Sequence, residues 1–481
     1  MRILFLTPQL PYPPRQGTQI RNFHLLRAAA TVHQVDLLSL ARPGETLEGS
    51  WDGSEGVEGT FDLTSRWDAL DPTCDVPAPP RHPLLRLCWQ VRLVEAPRRG
   101  LWSRLRTLAT STRPDVAERL SSHSFAATLG AIASTGGYDA IHVAGIEMAR
   151  YIMTVKAASP RSAIVFDDHN AEYLLQERAA RVDAHHVASW PKALYSLTQW
   201  QKLKRYETEV CNGSDTVIAV SDADAAALRR LGITTRLEVV PNGVDAGYYR
   251  PDPSIEPEPA TLLFTGTMDY RPNVDAARWF VSSVFPAILA KKPDARIQIV
   301  GRSPTPSIQR LATDSQNVLV TGAVEDVRPY FSRSTLFVVP IRMAGGARLK
   351  VLEALAMGLP VVSTSMGIEG IHLEDGKEVL LADSAEDFAA AVLRLLDDPT
   401  LRKRLSLAGR QAAEERFSWS QVAPRLLGVY ATIAGGRGGE TTGQGDEETA
   451  VVPPQCPEEQ QHDRGSVPSD TPPAGGSLAE G

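Results

Sequence analysis

Short apolar runs alternate with longer stretches of helical spacing over the first 433 residues. Met1–Thr7 reads as a strand buried on both faces and Val32–Leu40 as a second, and the intervening GTQIRNFHLLRAAAT places its apolar residues at helical intervals. YDAIHVAG, SAIVFDDHN and DTVIAVS repeat the short apolar run, and Glu238–Val240 adds another before PNGVD. After Pro251 the pattern begins again. TLLFTGTMDYRPN is a strand with its loop, and VDAARWFVSSVFPAILAKKP is one helix. RIQIVGRSP, NVLVTGAV, TLFVVPIRMAGGARLK, GLPVVSTS and EVLLAD supply further strands, with helices over Asp387–Leu396 and Ser418–Ile433. Strands rich in Val, Ile and Leu with helices between them predict parallel sheets covered on both faces. The fold class expected is therefore α/β, with two Rossmann-like, doubly wound domains facing each other across a cleft. A chain of 481 residues is too long for one core. The expected divisions are 1–241, 242–417, a C-terminal helix at 418–433 packing back on the first domain, and a tail at 434–481.

Charge is placed unevenly. The net charge is −7, and the tail from Gly435 onward holds nine acids against two arginines, which accounts for all of it. Rich in Gly, Pro and Glu, that tail is expected to be disordered. Within an insert at about 43–80, Glu45–Asp75 carries nine acids and one arginine and reads as a surface excursion. From Arg81 to Arg119 the sign reverses, to nine arginines against three acids, with leucines and tryptophans interleaved. That stretch has two readings: a helix lying on anionic lipid, or a solvated helix packing its leucines inward. No aromatic-basic module accompanies it, so no nucleic-acid partner is expected. Four scattered cysteines without a CxxC pair argue against a zinc site and a disulfide framework, and fit a reducing cytoplasm. The apolar start is too short for a signal peptide, and no stretch approaches a membrane span.

The chemistry concentrates in AGGARLKVLE, residues 344–353. Ligands of open parallel sheets bind outside the carboxyl ends of the strands, where this loop lies. Gly345 and Gly346 allow close backbone approach, and a helix starting near Leu349 turns its positive end toward the loop. Arg348 and Lys350 add full charge, so a diphosphate is the natural guest. Glu353, one turn further along, suits a pair of ribose hydroxyls; the plain alternative is a glutamate that only stabilises the helix start.

The chain resembles the glycosyltransferases of the GT-B fold, in particular the retaining group 1 or family 4, over residues 1–433. The resemblance rests on PQLPYPPRQGTQIRN, FDDHNAEY, VVPNGVD, LLFTGTMDYRPNVDA, QIVGR and above all GGARLKVLEALAMGLPVVSTSMGIEG. It implies a nucleotide-diphospho-sugar held mainly by the second half and an acceptor held by the first. Carried over, Glu353 holds the ribose, and Arg348 and Lys350 face the diphosphate. Gly17 leaves room for the donor phosphates, and His169 lies near the transferred sugar, orienting it. Gly266 is the glycine of the first donor loop, and Arg302 reaches the base or phosphate. The sequence departs from the pattern where the earlier of two glutamates is replaced by Gly346, and where Arg271 is the only cation of the loop Gly266–Asn273; Lys350 is the substitute there.

The resemblance further implies retention of configuration without a covalent enzyme nucleophile, with the departing phosphate able to take the acceptor's proton. Asp167 and Asp168 are expected to cap the helix that follows. Asp222 and Asp224 form a DxD, but after Ser221 they read as a helix cap, so no metal and no other cofactor is expected. The expected protein is a cytoplasmic enzyme of polysaccharide or glycolipid synthesis, open to contact with the cytoplasmic face of a membrane. Two alternatives stand beside it: a sugar-nucleotide epimerase of the same fold, whose extra cleft carboxylates the sequence does not reveal, and a non-catalytic membrane-docking subunit.

Overall fold

A computed structural model describes residues 1–47, 61–62, 82–98, 100, 110–184, 190–343 and 348–438. The first half builds a sheet in the order β3-β4-β2-β1-β5-β6-β7-β8. Its strands are β1 (Arg2–Thr7), β2 (Gln34–Ala41), β3 (Phe61–Asp62), β4 (Gln90–Glu95), β5 (Ala140–Ala144), β6 (Ala163–Asp168), β7 (Thr216–Ala219) and β8 (Arg236–Val239). Every described pair in it is parallel except β3 with β4. The second half builds the parallel sheet β11-β10-β9-β12-β13-β14. It contains β9 (Thr261–Thr265), β10 (Arg296–Val300), β11 (Val318–Gly322), β12 (Leu336–Val339), β13 (Val361–Ser363) and β14 (Leu380–Leu381). β1, β5, β9 and β12 are buried throughout or nearly so, because helices cover both faces. The chain is thus α/β with two Rossmann-like domains.

Strand order reverses between β1 and β5 in one sheet and between β9 and β12 in the other. At such switch points neighbouring loops leave in opposite directions and open a crevice. The loops after β1, β5 and β6, and after β9 and β12, carry the residues discussed below.

Two elements differ from the sequence reading. The helix expected as continuous over 274–293 is broken: Arg271–Trp279 is α-helical, Phe280–Val284 is a π segment, and Phe285–Leu289 resumes the α-helix. Pro286 is the cause. It has no N–H and its ring crowds the preceding turn, and widening that turn accommodates both. The arginine-rich stretch is not one helix either. Pro83–Leu87 is a short helix whose N-terminus is capped by His82, and Gln90–Glu95 is a strand paired with β2. Leu84, Cys88 and Val91 are buried. The reading of 81–119 as a single lipid-facing helix fails for this part, while residues 81, 99 and 101–109 lie outside the described set. So do most of the acidic insert and the tail.

The halves are joined twice. Val244 donates to Phe417 O at 2.8 Å and accepts from Trp419 N at 3.2 Å, so the two linking segments run side by side in parallel and form one hinge. The helix Trp419–Gly438 then returns to the first half. Its Trp419, Val422, Leu426, Val429 and Tyr430 join the core containing Ile3, Phe5, Leu25 and Val35. Trp419 stacks on His24 with ring centroids 4.7 Å apart. Burial pushes the His24 imidazole down to about 3, so it is neutral there. Among the described residues, no helix is long and apolar enough to cross a membrane.

Candidate functional site

The helix Leu349–Ala356 starts at the crevice beside β9 and β12. Lys350 and Glu353 lie one turn apart on it, at the spacing that lets side chains share a face. Lys350 Nζ donates to Asn273 Oδ1 at 2.7 Å and lies over the Phe264 ring, 4.6 Å from its centroid. Burial pushes this ammonium down to about 7, with Arg348 acting in the same sense and Glu353 against it. Glu353 Oε1 accepts from the Tyr249 hydroxyl at 3.1 Å. Its carboxyl is raised by burial, opposed by Tyr249 and Lys350.

Asn273 is the residue that sequence reasoning missed. It sits in RPN, and nothing local shows that it meets a lysine 77 positions away. Its Nδ2 donates to Thr267 O at 3.0 Å, which fixes the amide. Gly266 makes room for this arrangement. A Cβ there would lie 2.6 Å from Asn273 Nδ2 and 2.8 Å from Lys350 Nζ, and the backbone has φ +153°. Gly301 crosses the same loop so closely that a Cβ would overlap Gly266 O. Arg302 acts here through its backbone, accepting from Met268 N at 2.8 Å, and its side chain is exposed. Gly345 and Gly346 lie outside the described residues.

Arg348, the residue before the helix, turns elsewhere. Its Nε and Nη2 donate to Met366 O at 3.2 and 2.9 Å, and its side chain is 8% exposed. Gly17 meets the same helix from the opposite half. A Cβ on it would stand 3.6 Å from Leu349 Cδ1, an ordinary contact, so the packing itself tolerates a larger residue.

His169 follows β6. Its Nε2 lies 3.3 Å from Asp167 Oδ2, and Asp167 is completely buried. Asp167 does not cap the next helix. It forms a two-bond pair with Arg21, Nε to Oδ2 at 2.9 Å and Nη2 to Oδ1 at 2.6 Å. Arg21 also donates to Val240 O and Asn242 Oδ1 at the hinge. Although burial opposes ionisation, Arg21 and the two neighbouring histidines hold the Asp167 carboxyl well below the ordinary range. Asp168 points to the other side of the sheet. Burial and the neighbouring Glu207 push its carboxyl well above the ordinary carboxylate range. The cap on the helix Glu172–Ala184 is Glu207, which accepts from Glu172 N at 2.8 Å and Tyr173 N at 2.9 Å. A strand alternates faces, so two adjacent aspartates could not both reach the following helix.

Two further carboxylates gather at His169, which the sequence did not reveal. Gly145, with φ +83°, ends β5, and a Cβ on it would stand 3.1 Å from Glu147 Oε2 and 3.3 Å from His169 Nδ1. Glu172 Oε1 accepts from Asn170 Nδ2 at 3.1 Å. Burial pushes Glu172 up to about 7, and Glu147 adds to the effect. The DxD behaves as a cap: Ser221 Oγ accepts from Asp224 N, and Asp224 Oδ1 accepts from Ala171 N.

Two family models match the chain: "Glycosyltransferase Family 4" over residues 15–248 and "Glycosyl transferases group 1" over 259–398. Among curated proteins, a GDP-mannose-dependent monoacylated alpha-(1-6)-phosphatidylinositol monomannoside mannosyltransferase of Corynebacterium glutamicum is 30% identical over 252 residues, 48% of this chain and 64% of that protein. The chain thus spans somewhat less than two thirds of this relative. Among solved structures, a sucrose-phosphate synthase from Thermosynechococcus elongatus superposes with a TM-score of 0.65 at 17% identity, over 91% of this chain and 100% of the other. HepE of Anabaena, solved with UDP, gives 0.57 at 16% identity, over 90% and 100%. At these identities the two structures bear on the fold alone.

Proposed function

Because the chain belongs to the group 1, family 4 glycosyltransferases of the GT-B fold, we propose that it moves a sugar from a nucleotide-diphospho-sugar to a hydroxyl acceptor. The observation that carries this reading is Lys350 and Glu353 on one helix face at the β9/β12 crevice. Lys350 and the helix N-terminus supply positive charge where the diphosphate departs. Negative charge grows on its β-phosphate in the transition state, and fixed cations and N–H groups stabilise that state more than the bound donor. Glu353, held by Tyr249, accepts from the ribose. His169, braced by Asp167, orients the sugar from the opposite half. Retention of configuration, independence of metal, and a lipid-linked or polysaccharide acceptor at the cytoplasmic face of a membrane belong to the same proposal. The C. glutamicum relative uses GDP-mannose and acts on a phosphatidylinositol mannoside, which favours testing GDP-sugars and lipid acceptors first.

Glu147 and Glu172 are carboxylates of the kind that the epimerase alternative requires, so one assay must separate the two readings. The protein is incubated with UDP- and GDP-sugars, with and without a polyprenyl- or phosphatidylinositol-linked acceptor, in EDTA. Transfer produces nucleoside diphosphate and a glycosylated acceptor. Inversion of a donor hydroxyl with the diphosphate linkage intact would instead sink the transferase reading.

Lys350 also sets a pH dependence. A neighbouring diphosphate favours its charged form, so the complex holds a proton that the free protein loses above about 7. Affinity for a nucleotide sugar is therefore flat below that pH. It falls as pH rises further, at most roughly tenfold per unit. Calorimetry between pH 6 and 9 measures this, with Lys350→Arg as the control that flattens the slope. A nucleotide sugar is the right probe, because its diphosphate does not itself titrate in this range.

A further inference from the structure

Glu369, in the loop after β13, touches both halves of the molecule. Its carboxylate accepts from Arg178 Nη1 at 2.7 Å and Nη2 at 2.8 Å, one bond to each oxygen. Arg178 belongs to the helix Glu172–Ala184 of the first half, the helix that begins three residues after His169. Glu369 Oε2 also lies 3.5 Å from Arg348 Nη2, the residue at the head of the donor-side helix. One carboxylate is therefore bracketed by two arginines, one from each half. Arg348 is further tied to this loop by its bonds to Met366 O. The paired guanidinium holds Glu369 below the ordinary carboxylate range, so the bracket is ionised at neutral pH. Arg178, Arg348, Glu369, Asn170 and Asn242 line one cavity between the halves. Beside it, Gly370 packs on Ser221, whose Cβ and Oγ would both lie 3.0 Å from an added Cβ.

A lone exposed ion pair contributes little to folding. Here the partners are only about a third exposed, and the planar two-bond geometry fixes orientation as well as distance. The consequence falls on geometry between the halves rather than on overall stability.

We propose that Glu369 is a positioning residue that clasps Arg178 to Arg348, so that Arg178 sets the geometry of the donor helix from the first half without itself touching the donor. The proposal rests on the donor reading above. Arg178 then governs donor affinity through Glu369, and the two residues act as one unit.

The test uses the full chain, with UDP-glucose and GDP-mannose as probes in calorimetry and small-angle scattering of the ligand-free protein. Arg178→Met and Glu369→Gln are each expected to weaken binding of whichever probe binds by about tenfold. The double variant should be no weaker than either single one, because both break the same clasp. In scattering, Arg178→Glu is expected to enlarge the radius of gyration, and Arg178→Glu with Glu369→Arg to restore it. That exchange should not restore affinity, because it sets like charge against Arg348. Unchanged affinity in Arg178→Met, or additive losses in the double variant, would overturn the proposal. If neither probe binds the wild type, the donor reading passes to the wider panel of nucleotide sugars, whose failure would end it. The clasp is then decided by scattering: a radius unchanged by Arg178→Glu refutes it, and expansion reversed by the exchange upholds it.

Discussion

Replacing Lys350 with methionine is expected to lower kcat/KM for sugar transfer by about 10²- to 10³-fold while leaving the protein at least as stable as the wild type. The two effects have one cause. The ammonium is buried and held by a single amide and an aromatic face, which compensate its lost hydration poorly. Burial pushes its pKa down to about 7, which means that the charged form is destabilised by its surroundings in the protein. A departing diphosphate reverses that, and the interaction is strongest when charge is greatest on the leaving oxygen. Methionine keeps the unbranched stem over Phe264 and removes the charge. Steady-state kinetics and thermal unfolding of the same preparation check both halves of the prediction. Loss of activity together with loss of folding would mean that Lys350 is structural.

The second large effect is on stability. Arg21→Met is expected to destabilise the first half by about 3–5 kcal/mol, because it leaves Asp167 ionised and buried without its partner. Arg21 and Asp167 are 2% and 0% exposed, and the lost bonds include those to Val240 O and Asn242 at the hinge. The pH dependence has a definite sign. In the wild type the Asp167 carboxyl is held well below its ordinary value, so its contribution is present above the ordinary carboxylate range and is lost as pH falls through the folded value. Without Arg21, burial instead raises that carboxyl, and the variant suffers least in acid. Denaturant unfolding at pH 4.5 and pH 7.5 measures the gap between wild type and variant, which should be wider at pH 7.5. An equal gap at both would show that the pair is not ionised as described.

Much of the fold was readable because parallel sheets covered on both faces produce runs such as RILFLT and TLLFT that need no partner to identify. β4 was not readable. In QVRLVE the half-buried Arg92 interrupts the apolar positions, so the strand's period-two pattern is hidden within an arginine-rich stretch. The broken helix before Pro286 was missed because a five-residue π segment is about one turn, too short to show its wider period in the apolar pattern. At the site, Lys350 and Glu353 stood out by residue type and spacing, and His169 only through the family resemblance. Their supports did not. Asn273, Arg21, Tyr249 and Glu369 meet partners far along the chain or in the other half, and no local pattern encodes such a meeting. Asp167 was misread for the same reason, since its partner Arg21 lies 146 positions away.

The central claim is a nucleotide-diphospho-sugar site at Lys350 and Glu353. Its most direct test is thermal unfolding of the full chain in EDTA with a panel of UDP-, GDP- and ADP-sugars, beside Lys350→Met combined with Glu353→Gln. A ligand at a hundred times its Kd adds about 2.7 kcal/mol to the native state, a shift of several degrees at most. The account predicts such a shift for at least one nucleotide sugar in the wild type and none in the double variant. No shift with any of them, or the same shift in both proteins, would contradict it.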